Sequence, residues 1–77
     1  MTTRAEHMAW CKQRALLDID CGALAGAVAS LLNDMTKHPE TRQIALLPTT
    51  KLLMADGLRL ALSGDAAGLR RWVEGFA

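Results

Sequence analysis

The feature that most restricts this chain is an apolar ladder in its second quarter. Leu24, Val28, Leu31, Leu32 and Met35 fall at i, i+4, i+7, i+8 and i+11. That spacing puts all of them on one face of a helix with 3.6 residues per turn. No stretch of useful length alternates apolar and polar residues at the period of a strand. A chain with helical contrast and no strand contrast has to bury its apolar faces helix on helix, so the expected fold class is all-α. The 77 residues amount to a single domain, residues 1–77, at the small end of what folds alone.

Punctuation along the chain divides it further. Thr3-Arg4-Ala5-Glu6 reads as a capping box, followed by a first helix whose apolar face is Ala5, Met8, Ala9, Leu16 and Ile19. Gly22 permits a turn, and Asp20 is the expected N-cap of the second helix. Lys37 and His38 suit the negative end of that helix, and Pro39 stops it. Pro39 and Pro48 bracket Ile44-Ala45-Leu46-Leu47, which reads either as a short helical turn or as a packed loop. A third helix is expected from Pro48 to about Leu62. Only Asp56, Arg59 and Ser63 mark a polar stripe on it, so it is expected to be the most buried. Ser63 is the expected cap of a short fourth helix, with Asp65 near its positive end and Leu69, Trp72, Val73 and Phe76 as its inner face. The architecture expected is a compact bundle of four helices, the last one short, organised as helical hairpins. Its core should hold Met8, Leu16, Leu24, Val28, Leu31, Leu32, Met54, Leu58, Leu69, Trp72, Val73 and Phe76.

The sequence also contains a faint echo, since Leu17–Leu31 and Leu60–Trp72 each read as helix end, glycine turn and new helix. Trp10, Gly22, Ala27 and Pro39 make the first hairpin similar to a tetratricopeptide unit. However, its spacing is one residue too long and Arg14 stands where that repeat has glycine, so no repeat is expected. Gly22, Gly26 and Ser30, with Ala29 beside them, form a smooth face that reads as internal helix packing. A net charge of +1 offers no field for nucleic acid or an anionic membrane. The apolar runs are too short to span a bilayer, and MTTRAEHMAW is not a signal peptide. A cytosolic location with Cys11 and Cys21 reduced is therefore expected.

No constellation points to turnover. His7, Cys11, Cys21 and His38 supply a zinc-like ligand set, but without a shared knuckle, so Cys11 reads as a small core residue and His7 as a solvated one. A Cys11–His7 pair on adjacent turns has no oxyanion hole and no third orienting group. Asp18 and Asp20 point different ways, and no glycine-rich phosphate loop occurs. No catalytic residue, cofactor or metal is expected. Recognition is the remaining role. Trp10 lies off the main apolar face of the first helix in line with Glu6, Gln13 and Leu17, and an aromatic on a second stripe suits an interface. Arg70 and Arg71 form a small basic edge beside Trp72. The partner-binding candidates are therefore Trp10, Leu17, Arg70 and Arg71. Four short helices leave apolar surface uncovered, so a homodimer is also expected, through the third helix or the Trp10–Leu17 stripe.

Glu6-His7, Trp10-Cys11-Lys12, Arg14-Ala15-Leu16, Ala27, Ala29-Ser30, Asp34 and Lys37-His38-Pro39-Glu40-Thr41, with Met54, Gly57 and Glu74-Gly75-Phe76, give the chain a further likeness. In these positions it resembles a family of short proteins from tailed-phage and prophage genomes, and departs from them at Cys21 and around residues 42–50. The resemblance carries no activity and no site residue. It implies a phage accessory protein acting inside a bacterium. The leading expectation is a stoichiometric inhibitor of a bacterial host protein or defence complex, of the anti-CRISPR kind. One alternative is an oligomer that sequesters a nucleotide signal, with Lys12, Arg70 or Arg71 facing phosphates. The other is a part in phage assembly.

Overall fold

Thr3 opens the first helix as the capping box requires, its hydroxyl accepting the Glu6 N–H at 3.1 Å. The computed structural model describes residues 3–76 and holds five helices: α1 Arg4–Asp20, α2 Leu24–Met35, α3 Pro39–Ala45, α4 Pro48–Leu62 and α5 Ala66–Glu74. No strand occurs among the described residues. The bundle therefore has one helix more than its periodicities imply. The added element is α3, where Pro39 is the first helical residue as well as the stop for α2, and His38 caps it by accepting the Glu40 N–H at 3.2 Å.

The glycine echo corresponds to two turns of the same kind. Gly22 and Gly64 have φ of +82° and +74°, in the left-handed region that glycine enters without a Cβ penalty. Behind Gly22, Ala23 donates to the Asp18 carbonyl, and behind Gly64, Asp65 donates to that of Leu60. Both are Schellman closures, and they reverse the chain from α1 into α2 and from α4 into α5. Two expected caps are corrected here. α2 has Ala23 as its N-cap and no side-chain cap, while Asp20 remains the last residue of α1. α5 is capped by Asp65, which accepts the Gly68 N–H at 2.8 Å, and Ser63 instead turns its hydroxyl back onto the Leu60 carbonyl.

The core sits where α1 and α2 lie against each other, with α5 packed on α1 and α4 on α2 and α5. Cys11, Ala15, Ala27, Leu31, Met35, Leu69 and Val73 are wholly buried there, joined by Met8, Ile19 and Val28. Leu16, Leu24, Met54, Trp72 and Phe76 are half-buried against it, as their spacing implied. Leu32 and Leu58, expected inside, are exposed, as are Ala5, Ala9, Gly26 and Ala29. Gly22, Gly26 and Ala29 of the smooth face are therefore open surface, and Ser30 is half-buried.

α4 has the expected bounds but not the expected burial. It buries Thr50, Gly57 and Ala61 and leaves Leu52 and Leu62 71% and 76% exposed, with Leu53 and Leu58 also outside. Size explains the reversal. The indole of Trp72 lies so close to Gly57 that a Cβ there would come within 2.5 Å of the ring. Small residues on the contact line let α4 approach, and its large ones are left on the flanks. The molecule is also only 17 Å across its shortest extent, about two layers of helices roughly 10 Å wide. In so flat a body every helix keeps an open side.

Candidate functional site

The densest polar constellation gathers around Asp34, near the end of α2. Its side chain is 1% exposed. Arg14 Nε from α1 donates to Oδ2 at 2.7 Å and Lys37 Nζ stands 3.0 Å from Oδ1, while Ser30 donates more loosely at 3.5 Å. Burial alone would raise the carboxyl's pKa, but the hydrogen bonds and charges of Lys37 and Arg14 outweigh it and hold it below the ordinary 3.8. The carboxylate is therefore ionised and clamps two cations whose outer parts stay in water. Its backbone carbonyl accepts His7 Nε2–H at 2.8 Å, so that ring carries a hydrogen on Nε2. His7 is buried, correcting the expectation of a solvated imidazole. Its ring stacks on His38 at 5.1 Å, joining the start of α3 to α1.

The clamp carries a platform. Trp10 is 38% exposed and lies 5.3 Å from the His7 ring. The Arg14 guanidinium sits over the indole at 4.9 Å and the Lys37 ammonium at 5.6 Å. Each contact of this kind is worth about 0.5–1 kcal/mol at an exposed site. Asp34 holds both cations, so the groups packed against the Trp10 indole are themselves anchored. Glu6, His7, Trp10 and Lys37 line a shallow open cleft of about 430 Å³ there.

The other partner-binding candidates do not converge on this cleft. Leu17, two turns along the same stripe as Trp10, is 57% exposed. Arg70 pairs with Asp20, and Lys12 donates to the Glu74 carbonyl at 3.1 Å, so both tie α5 to α1. Arg71 is exposed and lines a separate groove of about 560 Å³ with Arg4, Leu47, Leu53, Trp72 and Phe76. The basic edge read from Arg70-Arg71 thus splits into one structural ion pair and one rim cation. Lys12 likewise has a structural partner.

The thiols are separated too. Cys11 is wholly buried, and desolvation, with the Asp34 charge second, pushes it up to about 11. It stays a neutral thiol at ordinary pH, which makes it a poor nucleophile. Cys21 is exposed beyond the end of α1. Among the described residues no three of His, Cys, Asp or Glu gather as metal ligands.

Asp34, Arg14, Lys37 and the His7–His38 stack were missed as a unit by sequence reasoning. Two local signals point toward it: Asp34 and Lys37 are three apart, and Arg14 lies four residues after Trp10 on the same helix face. No spacing relates Arg14 to Asp34, which only the α1–α2 packing brings together. No helix is long and apolar enough to cross a membrane among the described residues. No protein-family model, no curated protein and no solved structure matches the chain.

Proposed function

We propose that this domain acts by binding another protein stoichiometrically, with the Trp10 platform as its anchor, and that it catalyses nothing. The observation that carries the reading is a half-exposed tryptophan held between a histidine ring and two cations, themselves clamped by a buried carboxylate. Tryptophan and arginine are the residues that most often dominate interface energies, above all when they are pre-set. The resemblance to short phage and prophage proteins makes a bacterial host protein the partner to test, with components of defence complexes first, and inhibition by occupancy the consequence.

The test begins with a partner recovered from bacterial lysate on the tagged domain and then purified, so that affinity can be measured directly. Trp10→Ala should weaken binding at least about tenfold, since anchors of this type cost roughly 2 kcal/mol or more when truncated. Its melting temperature should stay close to that of the parent. A folded Trp10→Ala protein with full affinity ends this reading.

Self-association is a second reading, favoured by the outward leucines of α4, Leu52 and Leu62 above all. A dimer joined there should dissociate in Leu52→Glu/Leu62→Glu protein, as followed by sedimentation. A parent chain that sediments as a monomer at high micromolar concentration removes it.

A further inference from the structure

The groove lined by Arg4, Leu47, Leu53, Arg71, Trp72 and Phe76 shares no residue with the Trp10 cleft. It lies among the start of α1, the α3–α4 junction and α5. Its floor is set by a T-shaped contact between Trp72 and Phe76, ring centres 4.8 Å apart. That floor cannot easily sink, because the other edge of the indole is wedged against Gly57. Apart from two threonines, the polar side chains of the lining are the two guanidinium groups, and no aspartate or glutamate lines it. Four of the nine lysines and arginines have carboxylate partners, Arg14 and Lys37 on Asp34, Arg59 on Asp56 and Arg70 on Asp20; among the described residues Arg4 and Arg71 have none. An occupant that complements it brings an apolar group for the floor and negative charge for the rim.

We propose that this groove docks an acidic amphipathic helix of a partner protein. A large apolar side chain of that helix sits over Trp72, Phe76 and Leu53, and carboxylates one turn away face Arg4 and Arg71. Helical spacing suits the arrangement, since residues three or four apart share a face and present anchor and charge together. The volume, about 560 Å³, accommodates one or two such anchors, not a whole folded domain. Both arginines are exposed, so they contribute orientation and encounter rate more than raw affinity, and the binding is salt-sensitive. The inference rests on the reading of the domain as a protein binder and adds the charge and shape of the bound segment.

Two synthetic helical peptides with the same leucines at i and i+4 make the probe, one flanked by glutamates and the other by lysines. They are titrated into Trp10→Phe protein, in which Trp72 is the remaining fluorophore. The glutamate peptide should bind at least about tenfold more tightly than the lysine peptide, and this preference should shrink in about 0.5 M salt. Arg4→Glu/Arg71→Glu should invert the preference while leaving the melting temperature unchanged. Equal binding of the two peptides, or a preference that survives the double reversal, overturns the proposal. So does dodecanoate binding more tightly than either peptide, which would make this a site for a small amphiphile. A dimer that the double reversal dissociates would place a second copy there and also overturns it. The two readings fail separately. Trp10→Ala protein with intact partner binding sinks the platform without touching the peptide contrast. Absent contrast, with partner binding lost in Trp10→Ala, sinks the groove alone.

Discussion

Helices α2 and α4 are both rich in leucine and meet the rest of the molecule in opposite ways. In α2 the wholly buried positions include Leu31 and Met35, and the hairpin with α1 closes over them. In α4 the buried positions are Thr50, Gly57 and Ala61, and Leu52, Leu53, Leu58 and Leu62 are left outside, with Leu60 half-buried. The difference lies in what the neighbour supplies. α1 offers α2 small residues such as Ala15 and Cys11, so α2 fills the space with its own large side chains. α5 offers α4 a tryptophan, so α4 has to give way with a glycine. Hydropathy says that a residue is suited to burial. Complementary volume decides whether it is buried.

The sharpest way to break the comparison is to make the two helices equally poor in contacts. Leu31→Ala should cost about 2–5 kcal/mol, visible as a large fall in the urea midpoint, because the space it leaves in the α1–α2 interface cannot collapse easily. Gly57→Ala tests the opposite fault. Adding one methyl against a rigid indole should cost about 1–3 kcal/mol by the same measurement. An unaffected midpoint would mean that α4 floats on α5 and does not pack on it.

Asp34→Asn probes the seam between the well-packed half and the surface, with an expected loss of about 1–3 kcal/mol in chemical denaturation near neutral pH. Most of the cost is limited by Arg14 and Lys37, which are half exposed and can turn to water. The parent should also show an acid dependence that the variant lacks. A carboxyl whose folded pKa is depressed stabilises the fold fully above its unfolded value, ordinarily 3.8. That share is lost as pH falls below 3.8 and through the lower folded value. The variant's stability should therefore change less steeply with pH across that range.

The smallest effects belong to the outer face of α4. Leu52→Glu and Leu62→Glu should each shift stability by no more than about 0.5 kcal/mol, measured on the monomer, because neither side chain is covered. A loss approaching that of Leu31→Ala would place these leucines inside a permanent assembly.

How far the sequence could be read follows the same division. α2 was legible because its apolar and polar faces contrast, and α4 was bounded correctly by Pro48 at its first position and the glycine turn after Ser63. The burial of α4 was not legible, since a helix apolar on most sides offers no contrast by which to choose a face. α3 is not legible because seven residues are too few for a period, and Pro39 signals an end as readily as a start. Near the cleft, the off-axis position of Trp10 on α1 is legible from its spacing. The clamp beneath it is not, because Arg14 and Asp34 lie twenty residues apart and belong to different helices.

The contact between Gly57 and Trp72 also constrains how such a chain could change over generations. Neither position can be altered freely by itself: a side chain at 57 strikes the ring, and a smaller residue at 72 leaves a hollow against bare backbone. The two helices share one fixed allotment of space, held entirely by α5. Variants in which a bulkier residue 57 accompanies a smaller residue 72 would preserve that allotment, while moving the floor of the neighbouring groove from one helix to the other.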